Sequence, residues 1–480
     1  MQSTMLCLLF LVVVQGEKCD EAPRLRREIR SLDPSIRQRY FEAMKIMKFL
    51  PKEIGIQKYG PMFKTYDEIL LQHFYAGIDV RCDQGHFSAG FFTFHRSLVL
   101  TFENSLLAID PSIGGVPYWN YELDLQENAN PSKSVIWSDD YYGPSEGDPE
   151  NGWQIKSGTF KNWSVAYGKF FEGPPRLDLQ TDTLVHGIPS NPYGYLRGFA
   201  NSNPAPRVTR SHQQCGQAIE PYWGIKQDAL EGCLNQTDYM SFFNCMDYGT
   251  NGADGPHTFI HSWLGGAWGS HNCTTKQLDT GISDNVNGCL ACSTDINYCQ
   301  GRNLTECVCL INHQACQRMD IPNATCQRYP GGDERPDYHP NAPCKRCPAC
   351  RQDPQMGAAG DFWDGLSSPN EPLFFSHHAN VDRSFMTWQL RVASNDSTAL
   401  PFSGFPKSGY CPGHNLHDTI SSSFPFFASE LFYHHPGPFT ETPLTHAEVL
   451  RRTQPRSMNS TFCSIGNDIY AYDLSASIYI

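Results

Sequence analysis

The sequence predicts a mainly α-helical protein whose helices are separated by long irregular loops and interrupted by a disulfide-rich insert. Three observations support this fold class. Several segments place apolar residues at steps of three and four, the period of an amphipathic helix. Residues 128–214 are rich in Gly, Pro, Asn and Ser and show no sustained periodicity, which is typical of ordered loops. Eleven cysteines are concentrated between residues 271 and 351.

The composition is that of a globular, exported chain. Of its 480 residues 40% are hydrophobic, and the formal net charge of -13 argues against nucleic acid as a main partner. Residues 1–16 contain an unbroken apolar run and predict a cleaved signal peptide. We therefore expect a protein that is secreted or lies in the lumen of a secretory organelle. We expect no transmembrane anchor, because no later segment is apolar enough.

The helices can be placed one by one. The first is predicted between Ser31 and Pro51, because Asp33-Pro34 is a typical helix start and apolar residues follow at helical spacing. The chain is expected to be mostly irregular beyond Pro401. The other helical patterns are those of 66–74, the segment beginning at His95, the segment beginning at His257 and the segment beginning near Phe374.

The cysteine-rich stretch contains few large aliphatic residues, so it is expected to be stapled by disulfides rather than by a core of its own. Its two Cys-x-x-Cys pairs are too far apart for common zinc-finger spacing. We predict a signal peptide at 1–16, one main domain formed by 17–270 and 352–480, and the insert at 271–351. The chain carries seven Asn-x-Ser/Thr acceptors and 19 cysteines, as a secreted glycoprotein with disulfide bonds would.

The histidines carry the functional signal. His257-Thr-Phe-Ile-His261 puts two imidazoles one helical turn apart, so that both can reach one metal ion. Alone, this spacing is weak, because many helices carry such a pair by accident. Four further histidines accompany this pair. His73 ends a predicted helix, and His86 precedes an aromatic segment that leads to His95, where the next helix begins. His378 lies at the start of the last predicted helix.

These segments resemble the copper motifs of the family that contains tyrosinases, catechol oxidases and molluscan haemocyanins. The resemblance runs from about Arg24 to Leu450, outside the insert. The downstream segment Gly413-His-Asn415 is similar to one in animal tyrosinases. The other matching segments are His95-Arg96 with Glu103, Pro117-Tyr-Trp-Asn120, His261-Ser-Trp-Leu-Gly-Gly266 and His378-Ala-Asn-Val-Asp-Arg383.

The resemblance implies a four-helix-bundle core that holds two copper ions. The ligands it implies are two triplets, His73, His86 and His95 for one ion and His257, His261 and His378 for the other. His377 is left aside, because the family uses the second histidine of the pair. It further implies that the protein is an oxidoreductase that uses O2 on a phenolic substrate, in melanin or cross-linking chemistry. Asn120, Asp382 and backbone carbonyls are candidate hydrogen-bond acceptors for the ligand histidines.

The sequence departs from the family pattern at two points. Many members that hydroxylate monophenols have Asn after the first histidine of the second site, whereas this chain has Thr258. With Asp254 as the nearby acid, Thr258 is the candidate for positioning water or the phenol. Oxidation of o-diphenols to o-quinones is therefore expected, and monophenol hydroxylation stays open. Cys82 lies four residues before His86, so a disulfide is favoured there over a thioether.

Other functions must be weighed against a phenol oxidase. A haemocyanin-like O2 carrier would use the same histidines, although carriers usually repeat their unit along one chain. A zinc hydrolase is disfavoured, because Thr258 stands where a His-Glu-x-x-His motif needs Glu. A non-catalytic matrix protein that keeps the fold is a further alternative. The oligomeric state is not predicted.

Overall fold

The computed structural model describes residues 24–77, 83–86, 88–128, 130–168, 176–178, 183–185, 191, 193–198, 201, 203–214, 217–219, 227–249, 255–268, 358–395, 405, 413–421, 424–433, 442–455, 464–466 and 469–473. The predicted signal peptide and the cysteine-rich insert lie outside these residues, as do Cys82, Phe87 and Asp254. Within the described ranges, no helix is both long and apolar enough to cross a membrane.

Helices dominate the structure, which confirms the predicted fold class. The α-helices are α1 (Pro34–Phe49), α2 (Lys52–Tyr59), α3 (Tyr66–Gly77), α4 (Phe91–Ile109), α5 (Tyr121–Asn128), α6 (Gln227–Leu234), α7 (Tyr239–Tyr248), α8 (Pro256–Gly265), α9 (Phe374–Asn395), α10 (Ala428–Leu431) and α11 (His446–Arg452). Short 3-10 helices lie at Pro111–Ile113, Pro131–Lys133, Val135–Trp137, Pro149–Asn151 and Ser368–Asn370.

The first helix begins and ends for local reasons. Asp33 accepts a hydrogen bond from the backbone N–H of Ser35, and Pro34 occupies the first turn, where its missing N–H costs nothing. Leu50 is already extended, as expected for a residue that precedes proline. The predicted helix is thus confirmed, with ends within a few residues of the expected ones.

Helix α4 is the centre of the bundle. Every residue from Phe91 to Leu106 is buried, which requires that other elements cover it on all sides. Helices α3 and α9 pack directly against it, and α8 reaches its first turn where His257 meets Phe91 at a ring distance of 4.6 Å. A disulfide between Cys233 and Cys245 joins α6 to α7, which in turn packs on α8. The four helices α3, α4, α8 and α9 therefore surround one shared interior.

A small sheet joins the two ends of the described chain. Strand β1 (Leu25–Arg26) pairs in parallel with β7 (Ala471–Asp473), which pairs antiparallel with β6 (Ser464–Gly466). The chain beyond 401 was expected to be mostly irregular, and the structure places the short helices α10 and α11 and the strands β6 and β7 there. Strands of two or three residues carry no alternation that a sequence pattern could reveal. The remaining strands form two separate pairs, β2 (Arg176–Asp178) with β3 (Thr183–Val185) and β4 (Gln213–Gln214) with β5 (Gln217–Ala218).

Buried ion pairs tie the irregular segments to the bundle. Arg210 makes a two-pronged contact with Glu371, at 2.9 and 2.6 Å. Arg197 does the same with Asp361, at 2.8 and 3.0 Å. All four side chains are fully buried, so each charge depends on its partner. These pairs hold the loop around 191–214 against the segment that leads into α9.

A second buried network connects the small sheet to the bundle. Arg26 of β1 donates to both oxygens of Glu103 in α4, at 3.0 and 2.7 Å, and to Asp382 in α9 at 3.1 Å. Asp382 also accepts from Arg96 at 2.6 Å. Asp382 was a candidate acceptor for a ligand histidine, but its oxygens are taken by these guanidinium groups and by Tyr470 and Tyr472.

The charges in this network control its titration. Burial alone would raise the pKa of Asp382, but Arg96 and Arg26 outweigh burial and hold that pKa below its ordinary value of 3.8. A carboxyl with a lowered folded-state pKa stabilises the protein above its unfolded-state pKa. That stabilisation is lost as the pH falls through the folded-state pKa.

The first prediction concerns Asp382. We expect Asp382→Asn to lower the free energy of unfolding at pH 7 by about 3–5 kcal/mol, since it removes the counter-charge of the buried Arg96 and one of the two carboxylates that pair with Arg26. Glu42→Gln, in the exposed pair with Lys45, should change it by less than about 0.5 kcal/mol. Denaturant unfolding measures both, and the Asp382 effect should shrink below about pH 4. A loss under about 1 kcal/mol at pH 7 would show that the network is not coupled as described.

Candidate metal centre

The first histidine cluster joins three separate elements. His73 comes from α3, His95 from α4, and His86 from the loop between them. The centroid of the His86 ring lies 4.6 Å from that of the His73 ring and 5.1 Å from that of the His95 ring. One nitrogen of each of the three lies within 4.8 Å of the others. The structure thus brings together the first predicted triplet, including His73, whose placement only helix phase and order had suggested.

Each of these rings is anchored through Nδ1. His73 Nδ1 lies 2.9 Å from the carbonyl oxygen of Leu366, and His95 Nδ1 lies 2.9 Å from that of Phe91. His86 Nδ1 lies 2.9 Å from a carboxylate oxygen of Asp83. Because a carbonyl or carboxylate oxygen can only accept, Nδ1 carries the hydrogen and Nε2 keeps its lone pair. The expectation that backbone carbonyls orient the ligand histidines is confirmed here.

The second cluster is built on α8 and α9. Pro256 occupies the first turn of α8, and His257 and His261 follow on one face with their rings 4.7 Å apart. His257 Nδ1 lies 2.9 Å from Asp247, and His261 Nδ1 lies 2.7 Å from the carbonyl oxygen of Phe362. The His378 ring lies 5.1 Å from His257. The second predicted triplet is therefore also assembled.

His377 belongs to this cluster as well, although the sequence analysis set it aside. Its ring lies 5.0 Å from His261, and it is as deeply buried as His378. Neither ring nitrogen of either histidine has a hydrogen-bond partner among the described residues. Hydrogen bonding therefore does not show whether His377 or His378 is the metal ligand. The assignment of His378 stays a prediction.

The two clusters touch each other. The rings of His95 and His378 are stacked at 4.2 Å with an angle of 7° between their planes. Phe91 lies 4.4 Å from His95 and 4.6 Å from His257, so one aromatic ring borders both clusters. Phe374 lies 4.2 Å from His378. Phe91 and Phe374 therefore line the site, whereas Phe92 and Phe375 stack on Phe385 and Phe102.

The burial of the histidines suits metal binding. Burial, and after it the neighbouring imidazoles, lowers the pKa of His73, His95, His261 and His378 well below the ordinary value. These rings are therefore neutral at physiological pH, which is the form that binds metals. The Nε2 atoms of His95, His257 and His261 are buried with no hydrogen-bond partner in the structure. Buried polar atoms of this kind need a partner, and a metal ion in each cluster would supply it.

Two residues at the centre keep some exposure, Thr258 on α8 and His86 in its loop. The predicted ligands His73, His95, His257 and His378 are buried. The Thr258 hydroxyl donates to Asp247 at 2.7 Å. Asp247 therefore holds both Thr258 and His257. Asp254, the acid that the sequence indicates beside Thr258, lies outside the described residues. Asp247 was missed because it lies on a different helix, ten residues before the histidine that it holds.

Two buried histidine clusters that meet inside a helical bundle have the donor set of a metal-binding protein whose ligands are imidazoles. The particular family follows from the sequence match of residues 63–278 and 352–391 to the common central domain of tyrosinase. This chain belongs to the tyrosinase family, whose members bind copper. The matched ranges contain all six predicted ligands, and the resemblance stated from the sequence is confirmed.

The sequences of individual relatives are only distantly similar to this chain. The tyrosinase-like protein phomQ1 of Diaporthe leptostromiformis is 25% identical over 251 residues, which cover 51% of this chain and 54% of that protein. Tyrosinase ustQ of Aspergillus flavus is 32% identical over 254 residues, which cover 50% of this chain and 61% of that protein. The matches thus span little more than half the length of these relatives. A solved polyphenol oxidase of Thermothelomyces thermophila is 18% identical over 94% of this chain and 88% of its own, with a TM-score of 0.46.

The second prediction concerns Asp247. We expect Asp247→Ala to weaken metal binding at the second cluster by about 10–100-fold, because His257 loses the acceptor that orients its ring. Asp238→Ala is the matched control. It removes the N-cap of the same helix, so it should cost about 1 kcal/mol of stability and leave metal affinity unchanged. Competition with a chelator measures the affinity, and equal affinities in the two variants would contradict a role for Asp247.

Proposed function

We propose that this chain is a copper oxidase that uses O2 to oxidise o-diphenols to o-quinones, with one copper ion in each histidine cluster. The observation that carries the proposal is the contact between the clusters, where the His95 and His378 rings stack at 4.2 Å. Bound copper would supply the exchange of electrons with O2, which a pair of adjacent ions can share. The relatives named as tyrosinases support the same chemistry.

The residues around the centre support roles that do not depend on the metal. The Phe91 and Phe374 rings cover the clusters and keep bulk water from the reacting groups. The reaction balances when two o-diphenols each lose two electrons and two protons while one O2 is reduced to two water molecules.

We also propose that the protein enters the secretory pathway. The apolar segment at residues 1–16 and the abundance of cysteines support this location. The disulfide between Cys233 and Cys245 is of the kind that persists in oxidising compartments. The acceptor side chains of Asn162 and Asn235 are exposed, so both could carry a glycan.

The third prediction tests copper binding and the ligand assignment. We expect the copper-loaded chain to contain two copper ions and to form quinone from a catechol, as measured by elemental analysis and absorbance. His378→Ala should lose the copper of the second cluster and the activity, whereas His377→Ala, its equally buried neighbour, should keep both copper ions. The opposite result for the two variants would move the ligand role to His377.

Three outcomes of this experiment separate the alternatives. Retention of zinc in place of copper would contradict the proposal. Two copper ions that bind O2 reversibly without forming quinone would favour a haemocyanin-like carrier. Copper without O2 binding or quinone formation would favour a non-catalytic matrix protein.

The fourth prediction addresses monophenol hydroxylation. An asparagine at position 258 could donate to Asp247, as the Thr258 hydroxyl does, and offer its carbonyl oxygen to a water molecule. We expect Thr258→Asn to raise the ratio of kcat/KM for tyrosine to kcat/KM for a catechol by about tenfold, or ~1.4 kcal/mol. Thr258→Val, which removes the hydroxyl without adding an amide, should not raise it. A ratio that is equal in both variants would exclude this role for position 258.

A further inference from the structure

His86 is held differently from the other five predicted ligands. They lie on helices, whose backbone limits where each side chain can point, whereas His86 lies in the loop between α3 and α4. It is also partly exposed, while the other two members of its cluster are buried. The position of the His86 side chain must therefore be set by the contacts that the loop makes with the rest of the protein.

Asp83 forms the inner part of this support. Its carboxylate accepts the backbone N–H groups of Gly85 and His86 at 2.7 and 2.8 Å, and it lies 2.9 Å from His86 Nδ1. The carboxylate of Asp83 thus folds the loop and orients the His86 ring together.

His414, more than 300 residues further along the chain, hydrogen-bonds the loop at two points, Asp83 and Gly90. Its Nε2 lies 2.6 Å from the carbonyl oxygen of Asp83, and its Nδ1 accepts the backbone N–H of Gly90 at 2.9 Å. Only the neutral ring with its hydrogen on Nε2 can make both bonds. Gly90 is also the residue at which α4 begins, so the same ring connects the His86 loop to the helix that carries His95.

The turn that carries His414 is itself tightly built. Asp418 accepts the backbone N–H of Gly413 at 2.9 Å and the side-chain amide of Asn415 at 2.7 Å. Gly413 has a φ of +94°, and a Cβ at Gly90 would lie 2.6 Å from the Gly413 carbonyl oxygen. The turn and the loop are therefore in close contact, and the turn holds the His414 ring against the loop.

We propose that His414 is a positioning residue for the first copper site, which it preorganises by clamping the His86 loop at Asp83 and Gly90. The inference rests on the proposed function, because it assumes that the first cluster binds copper. It assigns a role to the Gly413-His-Asn415 turn. His414 does not contact the metal site directly and acts through the loop.

The test measures copper affinity at each site of the full-length holoprotein by competition with a copper chelator, together with the thermal stability of the metal-free chain. We expect His414→Ala to weaken the first site by about 10–100-fold, so that a moderate chelator removes one copper ion and leaves the other. His414→Gln should restore the second ion under the same conditions, because its amide carries an acceptor and a donor separated by one carbon, as the ring nitrogens are.

Asn104→Ala is the matched control. Asn104 is also buried and also joins α4 to the later part of the chain, but its side-chain amide donates to the carbonyl oxygens of Glu430 and Leu431 rather than to the His86 loop. We expect it to lower the stability of the metal-free chain and to leave both copper affinities unchanged. Where His414→Ala fails to fold, His414→Asn replaces it, because its amide lies on a side chain too short to reach both ends of the loop.

The outcomes distinguish this proposal from the function on which it rests. A wild-type chain that binds no copper would contradict both. Two copper ions held with equal affinity in wild type and in His414→Ala, with only stability reduced, would show that His414 is merely structural. Loss of copper from both sites in equal measure would also overturn the proposal, because the clamp touches the first site alone.

Discussion

The orientation of buried imidazoles is the constraint on which the rest of this structure depends. A histidine binds a metal through a free lone pair, so its other ring nitrogen must be held by an acceptor. The structure meets this condition for five of the six predicted ligands, with backbone carbonyls for His73, His95 and His261 and carboxylates for His86 and His257. Burial lowers the pKa of three of these ligands well below the ordinary value, so that their rings are neutral: His73, His95 and His261. A preorganised centre follows from these two conditions together.

Several acceptors lie on irregular chain, which explains why the loops must be rigid. The carbonyls of Leu366 and Phe362 belong to the segment before α9, not to a helix of the bundle. The buried pair of Arg197 with Asp361 holds this segment in place. Burying such a pair costs desolvation free energy, which offsets much of the attraction between the charges. Its effect here is to fix the position of the segment before α9 rather than to add net stability. Long-range contacts of this kind let loops serve as part of a metal site.

The bundle helices could be predicted because their periodicity is local. The helix after His95 and the pair of His257 and His261 follow from spacing alone, since residues three and four apart share a helix face. The small terminal sheet could not be predicted, because its short strands pair with residues more than 400 positions away. Asp247 could not be predicted either, because it lies on α7 whereas His257 lies on α8, and no periodicity relates residues of two different helices.

The histidine motifs, through their resemblance to the tyrosinase family, were enough to name the six histidines and to divide them into two triplets. They could do so because the motifs that carry the resemblance are short, continuous stretches of sequence. Tertiary structure alone decided which groups hold those histidines, that the clusters meet at His95 and His378, and that His414 supports the His86 loop. These facts depend on contacts between distant segments, which packing creates and which no local pattern records.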